Sequence, residues 1–184
     1  MTKQLLHSIY WGELGYQTYL YGSSMTEQEG CVVFENYHFP TGKPIKRWLS
    51  QLNFQAERRS PSLPLLQPGK AYRLRLHARI EPQGAAYLQL VYFNRQGEEI
   101  GEDMLREEDE GFTYPLDAFS YTLTLIGAGC ERLVFERIDL YACEEGEPSL
   151  FSRAARGYYG EGRYPVDIQF VSSLIERTKR EEHR

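Results

Sequence analysis

The feature that most restricts the fold is a stretch of ten residues, from position 72 to 81, in which apolar and polar side chains alternate. One set of alternate positions holds mainly apolar side chains: Tyr72, Leu74, Leu76, Ala78 and Ile80. The positions between them hold polar side chains: Arg73, Arg75, His77, Arg79 and Glu81. Period-two alternation of this length predicts a β-strand with one face against a core. The turn dipeptide Pro68-Gly69 precedes the strand, and Pro82 ends it.

The rest of the central region is also typical of strands. Residues 86–94 carry apolar side chains on both faces, which predicts a central strand. A tight turn at 94–97 should lead to a return strand over 98–105. Within 132–141 the apolar alternation changes phase, which predicts a β-bulge near Arg137. Further strands are predicted at 4–11, 17–21, 31–35, 45–54, 112–114, 120–126 and 132–141.

These short strands, with frequent turn signals and no helical pattern before position 148, favour an all-β fold. We predict an antiparallel two-sheet β-sandwich of the jelly-roll type over residues 1–143, with a closed barrel as the alternative. An irregular linker should follow over 144–165, and a C-terminal helix over 166–184. The helix would present an apolar stripe as a candidate partner-binding surface, either to the sandwich or to another chain. Its members are Ile168, Val171, Leu174 and Ile175.

Charge and apolar content argue against several classes of partner, although a local basic stripe stays open. A formal net charge of -5 argues against general nucleic-acid binding and against broad adhesion to anionic lipid. No apolar run exceeds four residues, and the first residues lack the apolar stretch of a signal peptide, so a cytoplasmic location is expected. The three cysteines, Cys31, Cys130 and Cys143, form no CxxC pair, so neither a metal nor a cofactor is predicted.

Catalytic motifs are missing from the sequence: it contains no HExxH, GxSxG or glycine-rich phosphate loop. We therefore predict that the chain is not an enzyme and has no catalytic residues. The carboxylates of Glu98, Glu99, Glu102 and Asp103 keep a carbohydrate-active hydrolase as an alternative. Such an acidic run is more often a solvated edge.

One segment points to binding. The Pro68-Gly69-Lys70 turn, the alternating strand and the next strand with its Asn94–Gly97 turn resemble sandwich carbohydrate-binding modules. We expect the face opposite the core to offer rings and hydrogen-bonding groups to a sugar or to cargo, although packing under a loop or a partner is an alternative use. The candidate residues are Arg73, Arg75, Tyr87, Gln89 and Phe93.

Over positions 10–141 the order and spacing of several short runs resemble the third accessory secretory protein, the Asp-three family, of the bacterial accessory Sec system. The runs are Thr18–Ser23, Trp48 with Asn53–Gln55, Ser60–Leu66, Tyr72–Leu74, Glu81-Pro82, Tyr92–Arg95 and Phe112–Pro115.

The resemblance implies a cytosolic protein of Gram-positive bacteria. Members of this family assemble with two sibling accessory proteins and cooperate with the dedicated accessory Sec ATPase. The cargo is a serine-rich repeat glycoprotein adhesin. Self-association is an open alternative, and contact with the inner face of the plasma membrane would be peripheral, through partners. The family looks like a carbohydrate-binding module and is not credited with a catalytic centre. A free-standing glycan-binding module is the alternative function.

Overall fold

A computed structural model describes residues 2–52, 60–107 and 109–144. These ranges contain antiparallel strands and no helix. The ten strands are β1 (Thr2–Ile9), β2 (Ser24–Gln28), β3 (Cys31–Glu35), β4 (Lys43–Leu49), β5 (Ala71–Glu81), β6 (Ala86–Phe93), β7 (Glu99–Leu105), β8 (Asp109–Thr113), β9 (Ser120–Gly127) and β10 (Arg132–Glu144).

The first sheet has six strands and is built around β10. Its order is β2-β3-β10-β5-β8, and β1 also pairs with β10. One edge of β10 pairs with β5, and the other edge pairs with β3 over residues 132–135 and with β1 over 138–144. The thirteen-residue β10 therefore pairs with three other strands, β1, β3 and β5.

The second sheet has four strands in the order β4-β9-β6-β7. The inward side chains of both sheets form one apolar core, in which Phe34, Leu90, Leu125, Leu133 and Phe135 have no exposed surface. The two-sheet antiparallel sandwich predicted from the sequence is thus confirmed. The predicted helical extension lies outside the described residues.

The phase change in β10 is a bulge, as predicted. The pairing of β10 with β5 shifts between Phe135 and Arg137. Because the bulge inserts one extra residue, Leu133 and Phe135 before it and Ile138 and Leu140 after it all face the core, each no more than 1% exposed.

One predicted strand is wrong and one real strand was missed. Residues 17–21 form only an isolated bridge, Thr18 with Lys46, because Gln17 adopts φ 52° and interrupts the extended chain. Strand β2 was missed because four of its five residues are exposed, so it lacks the apolar alternation that marks a half-buried strand.

Candidate functional site

The five predicted binding residues lie on two surfaces. Arg73 and Arg75 belong to β5 in the first sheet, whereas Tyr87, Gln89 and Phe93 belong to β6 in the second sheet. All five alternate with buried residues, so they lie on the outer faces. The expectation that they share one face is wrong, because alternation identifies the face of a strand but not the sheet to which the strand belongs.

On the first sheet, the arginines lie among acidic groups. The Arg73 guanidinium donates to the backbone carbonyl of Asp109 at 3.0 Å and lies 3.4 Å from its carboxylate. Arg75 pairs in register with Asp109 on one side and with Asp139 on the other. The arginines therefore sit in a charge-balanced region rather than in a basic patch.

Asp139 is the buried centre of this outer face, with 4% of its surface exposed. Ser8 donates to its carboxylate at 2.7 Å and Arg137 at 3.2 Å, and His77 Nε2 lies 2.9 Å from Oδ2. Burial acts to raise the pKa of Asp139, but the hydrogen bonds from Ser8 and Arg137 and the nearby charges outweigh it and hold the pKa below its ordinary value. Ser8 and Arg137 both donate to the aspartate and His77 lies beside it, so the cluster brings together side chains from β1, β5 and β10.

On the second sheet, the outer face of β6 carries two rings. The Arg106 guanidinium lies 5.3 Å from the centre of the Tyr87 ring, and Gln89 donates to Glu102 at 2.6 Å. Phe93 borders a shallow hollow of about 470 Å³, which Ser120 and Thr122 also line. Tyr87, Gln89 and Phe93 are each half-buried.

The acidic side chains in and around β7 accept hydrogen bonds from neighbouring residues. Glu98 accepts from Asn94 at 2.8 Å, and Asp103 accepts from the Tyr92 hydroxyl at 2.6 Å. Burial of Tyr92 and its bond to Asp103 raise the pKa of this phenol far above its ordinary value, so it remains a donor. Together with the Gln89–Glu102 bond, these contacts give three of the four carboxylates a structural role.

A group of apolar side chains at one end of the sandwich was not predicted as a site. Tyr21 is 86% exposed, Tyr37 is 68% exposed and Leu20 is 49% exposed; we call these three residues the tyrosine patch. The buried amide of Asn36 donates to Ser23 at 2.9 Å and to the Tyr21 carbonyl at 3.4 Å. These bonds join the two loops that carry the patch. Residues 18–23 are one of the runs that carry the family resemblance, but the sequence does not show that their side chains are exposed.

A buried lysine marks a second feature that sequence reasoning missed. Lys46 is 2% exposed, and its ammonium donates to the carbonyls of Tyr16, at 2.5 Å, and Glu13, at 3.4 Å. The ammonium also lies 5.5 Å from the centre of the Trp11 ring. The available signal was that Lys46 and the core residue Trp48 are two positions apart, which places both on the inward side of β4.

Beside this lysine is a cavity of about 300 Å³, which we call the tryptophan cavity. Its lining includes Tyr10, Trp11, Tyr16, Arg47, Trp48 and Ser62. Trp48 is 2% exposed and donates to the Tyr10 carbonyl at 2.8 Å, so it belongs to the core.

The remaining predicted site lies outside the described residues: Ile168, Val171, Leu174 and Ile175. Within 2–52, 60–107 and 109–144, no group of three or more His, Cys, Asp and Glu side chains is placed to hold a metal ion. The same ranges contain no helix that is long and apolar enough to cross a membrane.

Comparison with known proteins gives consistent matches. The family model described as accessory Sec secretory system ASP3 matches residues 18–142. The accessory Sec system protein of this type from Streptococcus gordonii is 37% identical over 145 residues, which is 73% of this chain and 91% of the relative.

Two solved structures are also similar. A chain in the crystal structure of accessory secretory proteins 1, 2 and 3 of Streptococcus pneumoniae has a TM-score of 0.71 and 33% identity, over 77% of this chain and 99% of that one. A chain in the Glycosylation Associate Protein complex of Streptococcus agalactiae has a TM-score of 0.70 and 32% identity, over 79% of this chain and 46% of that one.

Proposed function

Since this chain belongs to the ASP3 family of the accessory Sec secretory system, we propose that it is a non-catalytic assembly subunit of that export system. It joins two sibling accessory proteins in the cytoplasm, and the assembly cooperates with the dedicated ATPase to escort the serine-rich repeat glycoprotein adhesin. Any contact with the membrane is made through these partners. The observation that carries the proposal is the Streptococcus pneumoniae structure, in which a similar chain, matched over 99% of its length, is present with two other accessory secretory proteins.

The tyrosine patch is our proposed contact for a sibling protein. Tyrosine is enriched in protein interfaces, because its ring buries a large area while its hydroxyl forms hydrogen bonds. Tyr21 and Tyr37 are largely exposed although they flank ordered strands, and Asn36 links their loops. Little backbone ordering would therefore be needed on binding, which lowers the entropic cost of association.

Co-expression with the two siblings tests this proposal. We expect the chain to co-purify with them and to migrate as one complex by size-exclusion chromatography with light scattering. Tyr21→Ala combined with Tyr37→Ala should weaken binding at least tenfold, because central aromatic residues carry much of the energy of an interface. Leu65→Ala is the matched control, since Leu65 is 85% exposed and outside the patch.

A chain that stays monomeric in the presence of both siblings would refute the assembly proposal. A complex that forms equally well with the double variant would keep the assembly but reject the tyrosine patch as its contact. The escort role has a separate test, in which the complex is incubated with the serine-rich repeat segment and the ATPase, and co-sedimentation of each is measured.

A glycan-binding module is the second candidate function. The outer face of β6 supports it, because the half-buried Phe93 borders a hollow that also contains the hydroxyl groups of Ser120 and Thr122. Calorimetric titration with glycosylated and bare repeat peptide would decide. We expect Phe93→Ala to weaken binding of the glycosylated peptide, whereas Arg73→Ala, on the other sheet, should leave it unchanged. Equal affinity for both peptides would exclude the glycan-binding function.

A further inference from the structure

The tryptophan cavity shares one lining residue, Leu52, with the hollow that Phe93 borders, and its other lining residues are different. On one side of the cavity, the segment from Tyr10 to Gln17 lies along β4, where the Arg47 amide donates to the Gln17 carbonyl at 2.9 Å. On the other side, the Ser62 amide donates to the Leu49 carbonyl at 3.1 Å. The edge of β4 is thus covered at two points, and residues of both covering segments line the cavity.

The walls of this cavity are held in place by the core. The Trp11 ring packs edge-on against Trp48, with ring centres 6.3 Å apart, and against Phe135, at 5.2 Å. Lys46 fixes the backbone of the covering segment through the carbonyls of Glu13 and Tyr16. Gln17 adopts a left-handed φ of 52°, a conformation that costs about 1–3 kcal/mol for a residue other than glycine and is concentrated at binding sites.

One wall carries a buried donor without an acceptor. Trp11 is 3% exposed, and among the described residues its indole Nε1–H has no hydrogen-bond partner. Leaving such a donor unpaired costs about 1–3 kcal/mol. The equivalent group of Trp48 is satisfied by the Tyr10 carbonyl. The unpaired Trp11 donor therefore favours a ligand that brings an acceptor oxygen.

The remaining lining indicates the chemistry of that ligand. Tyr10 and Tyr16 add aromatic rings, and Ser60 and Ser62 add hydroxyl groups that both donate and accept. The lysine charge is directed to backbone carbonyls, and the other charged side chains of the lining, Glu13 and Arg47, have opposite signs. A neutral ligand with an apolar ring face and several oxygens matches this combination better than an anion does.

We propose that the tryptophan cavity binds a single sugar unit of a neutral glycan, with an oxygen of the sugar accepting from Trp11 Nε1. The site rests on the glycan-binding alternative and deepens it by adding a second sugar contact to the hollow beside Phe93, and it does not depend on assembly with the siblings. Binding of the sugar would satisfy a donor that the fold leaves unpaired, and the aromatic rings would contact the ring face of the sugar.

The two tryptophans of the sequence both line this cavity, so intrinsic tryptophan fluorescence reports on it directly. The full chain, without siblings, is titrated with N-acetylglucosamine and with glucose. Sorbitol is the control, because it has the hydroxyl groups of a sugar without the ring. We expect a saturable change with one or both sugars and only a small linear drift with sorbitol.

Trp11→Phe keeps an aromatic ring and removes the donor, so it should weaken sugar binding about five- to tenfold, the loss expected for one neutral hydrogen bond. Trp48 still reports the signal in this variant. Leu49 also lines the cavity, so Leu49→Phe, which adds volume there, should reduce binding further, and this variant serves as the second test if Trp11→Phe fails to fold. Leu65→Ala should leave the half-saturation concentration unchanged, because Leu65 is 85% exposed and does not line the cavity.

Three results would overturn the proposal. The first is a fluorescence change that does not saturate with either sugar. The second is saturable binding that Phe93→Ala abolishes and the cavity variants leave intact, which would place the sugar on the face of β6. The third is saturation by a bare serine-rich peptide but not by the sugars. Because the siblings are not in the assay, none of these results bears on the assembly proposal.

Discussion

Asp139 shows how a single polar side chain can organise an outer face. It is buried on a surface where most neighbours are solvated, and it accepts hydrogen bonds from Ser8 and Arg137 on either side. A carboxylate that is held in this way stabilises the folded state only while it is ionised. The position therefore links local hydrogen bonding to the pH dependence of stability.

We expect Asp139→Asn to lower the free energy of unfolding by about 1–3 kcal/mol at pH 7, because the amide keeps one acceptor and presents hydrogen atoms to Arg137. The folded-state pKa of Asp139 is depressed, so its contribution is full above the unfolded-state pKa and is lost as pH falls through the folded-state value. Urea unfolding from pH 7 down to pH 3 should show the difference between the two proteins shrinking. A difference that is independent of pH would contradict this account.

At the scale of strands, the bulge in β10 takes up one extra residue in the pairing with β5. Phe135 pairs with Ala78 and Arg137 with His77, which leaves Glu136 as the extra residue between two regular ladders. Residues before and after the bulge keep their inward positions only because the phase is reset there. The same reasoning makes the effect of a deletion depend strongly on its position.

Deletion of Glu136 should therefore be tolerated, because it joins two ladders that are already in register, and the cost should be about 1–2 kcal/mol. Deletion of Val134, in the regular part of the strand, would reverse the facing of one of its flanks and should prevent folding, since the loss would exceed the few kcal/mol of net stability. Circular dichroism and thermal unfolding of the two deletion variants would show the contrast. Equal loss of structure in both would refute our assignment of the extra residue.

The same strands show what could be predicted from the sequence and what could not. β5, β6 and the bulge were predictable, because alternation is a local property of the chain. The division of Arg73 and Phe93 between two sheets was not, because the connection from β5 to β6 passes from one sheet to the other and no local pattern records this. The cavity was missed for a related reason, since its walls come from segments whose contacts are distant in sequence.

For the whole molecule, the described residues belong to one compact unit, Met1–Gly146. The predicted sandwich boundary at 143 is close to the end of β10 at Glu144. The predicted division into linker and helix beyond this point stays a prediction. The role of the apolar stripe, on the sandwich or on another chain, stays open with it.

We expect residues 1–146 to fold without the rest of the chain, with a melting temperature within a few degrees of the full protein. If the stripe of Ile168, Val171, Leu174 and Ile175 packed on its own sandwich, truncation would remove several buried side chains. Each kcal/mol lost shifts the melting temperature by about 2–4 °C in a chain of this size, so the fall would exceed about 10 °C. Differential scanning calorimetry of the two proteins distinguishes these outcomes.

The length of β10 also determines how far apart attachments to this molecule lie. Asn36, beside the tyrosine patch, donates through its backbone amide to the Glu131 carbonyl at 2.8 Å, just before β10 begins, whereas Glu144 is the opposite end of this strand. Thirteen extended residues span about 40 Å. A protein bound at Tyr21 and Tyr37 would thus contact the molecule near one end of β10 and leave the opposite end, at Glu144, free for a second neighbour.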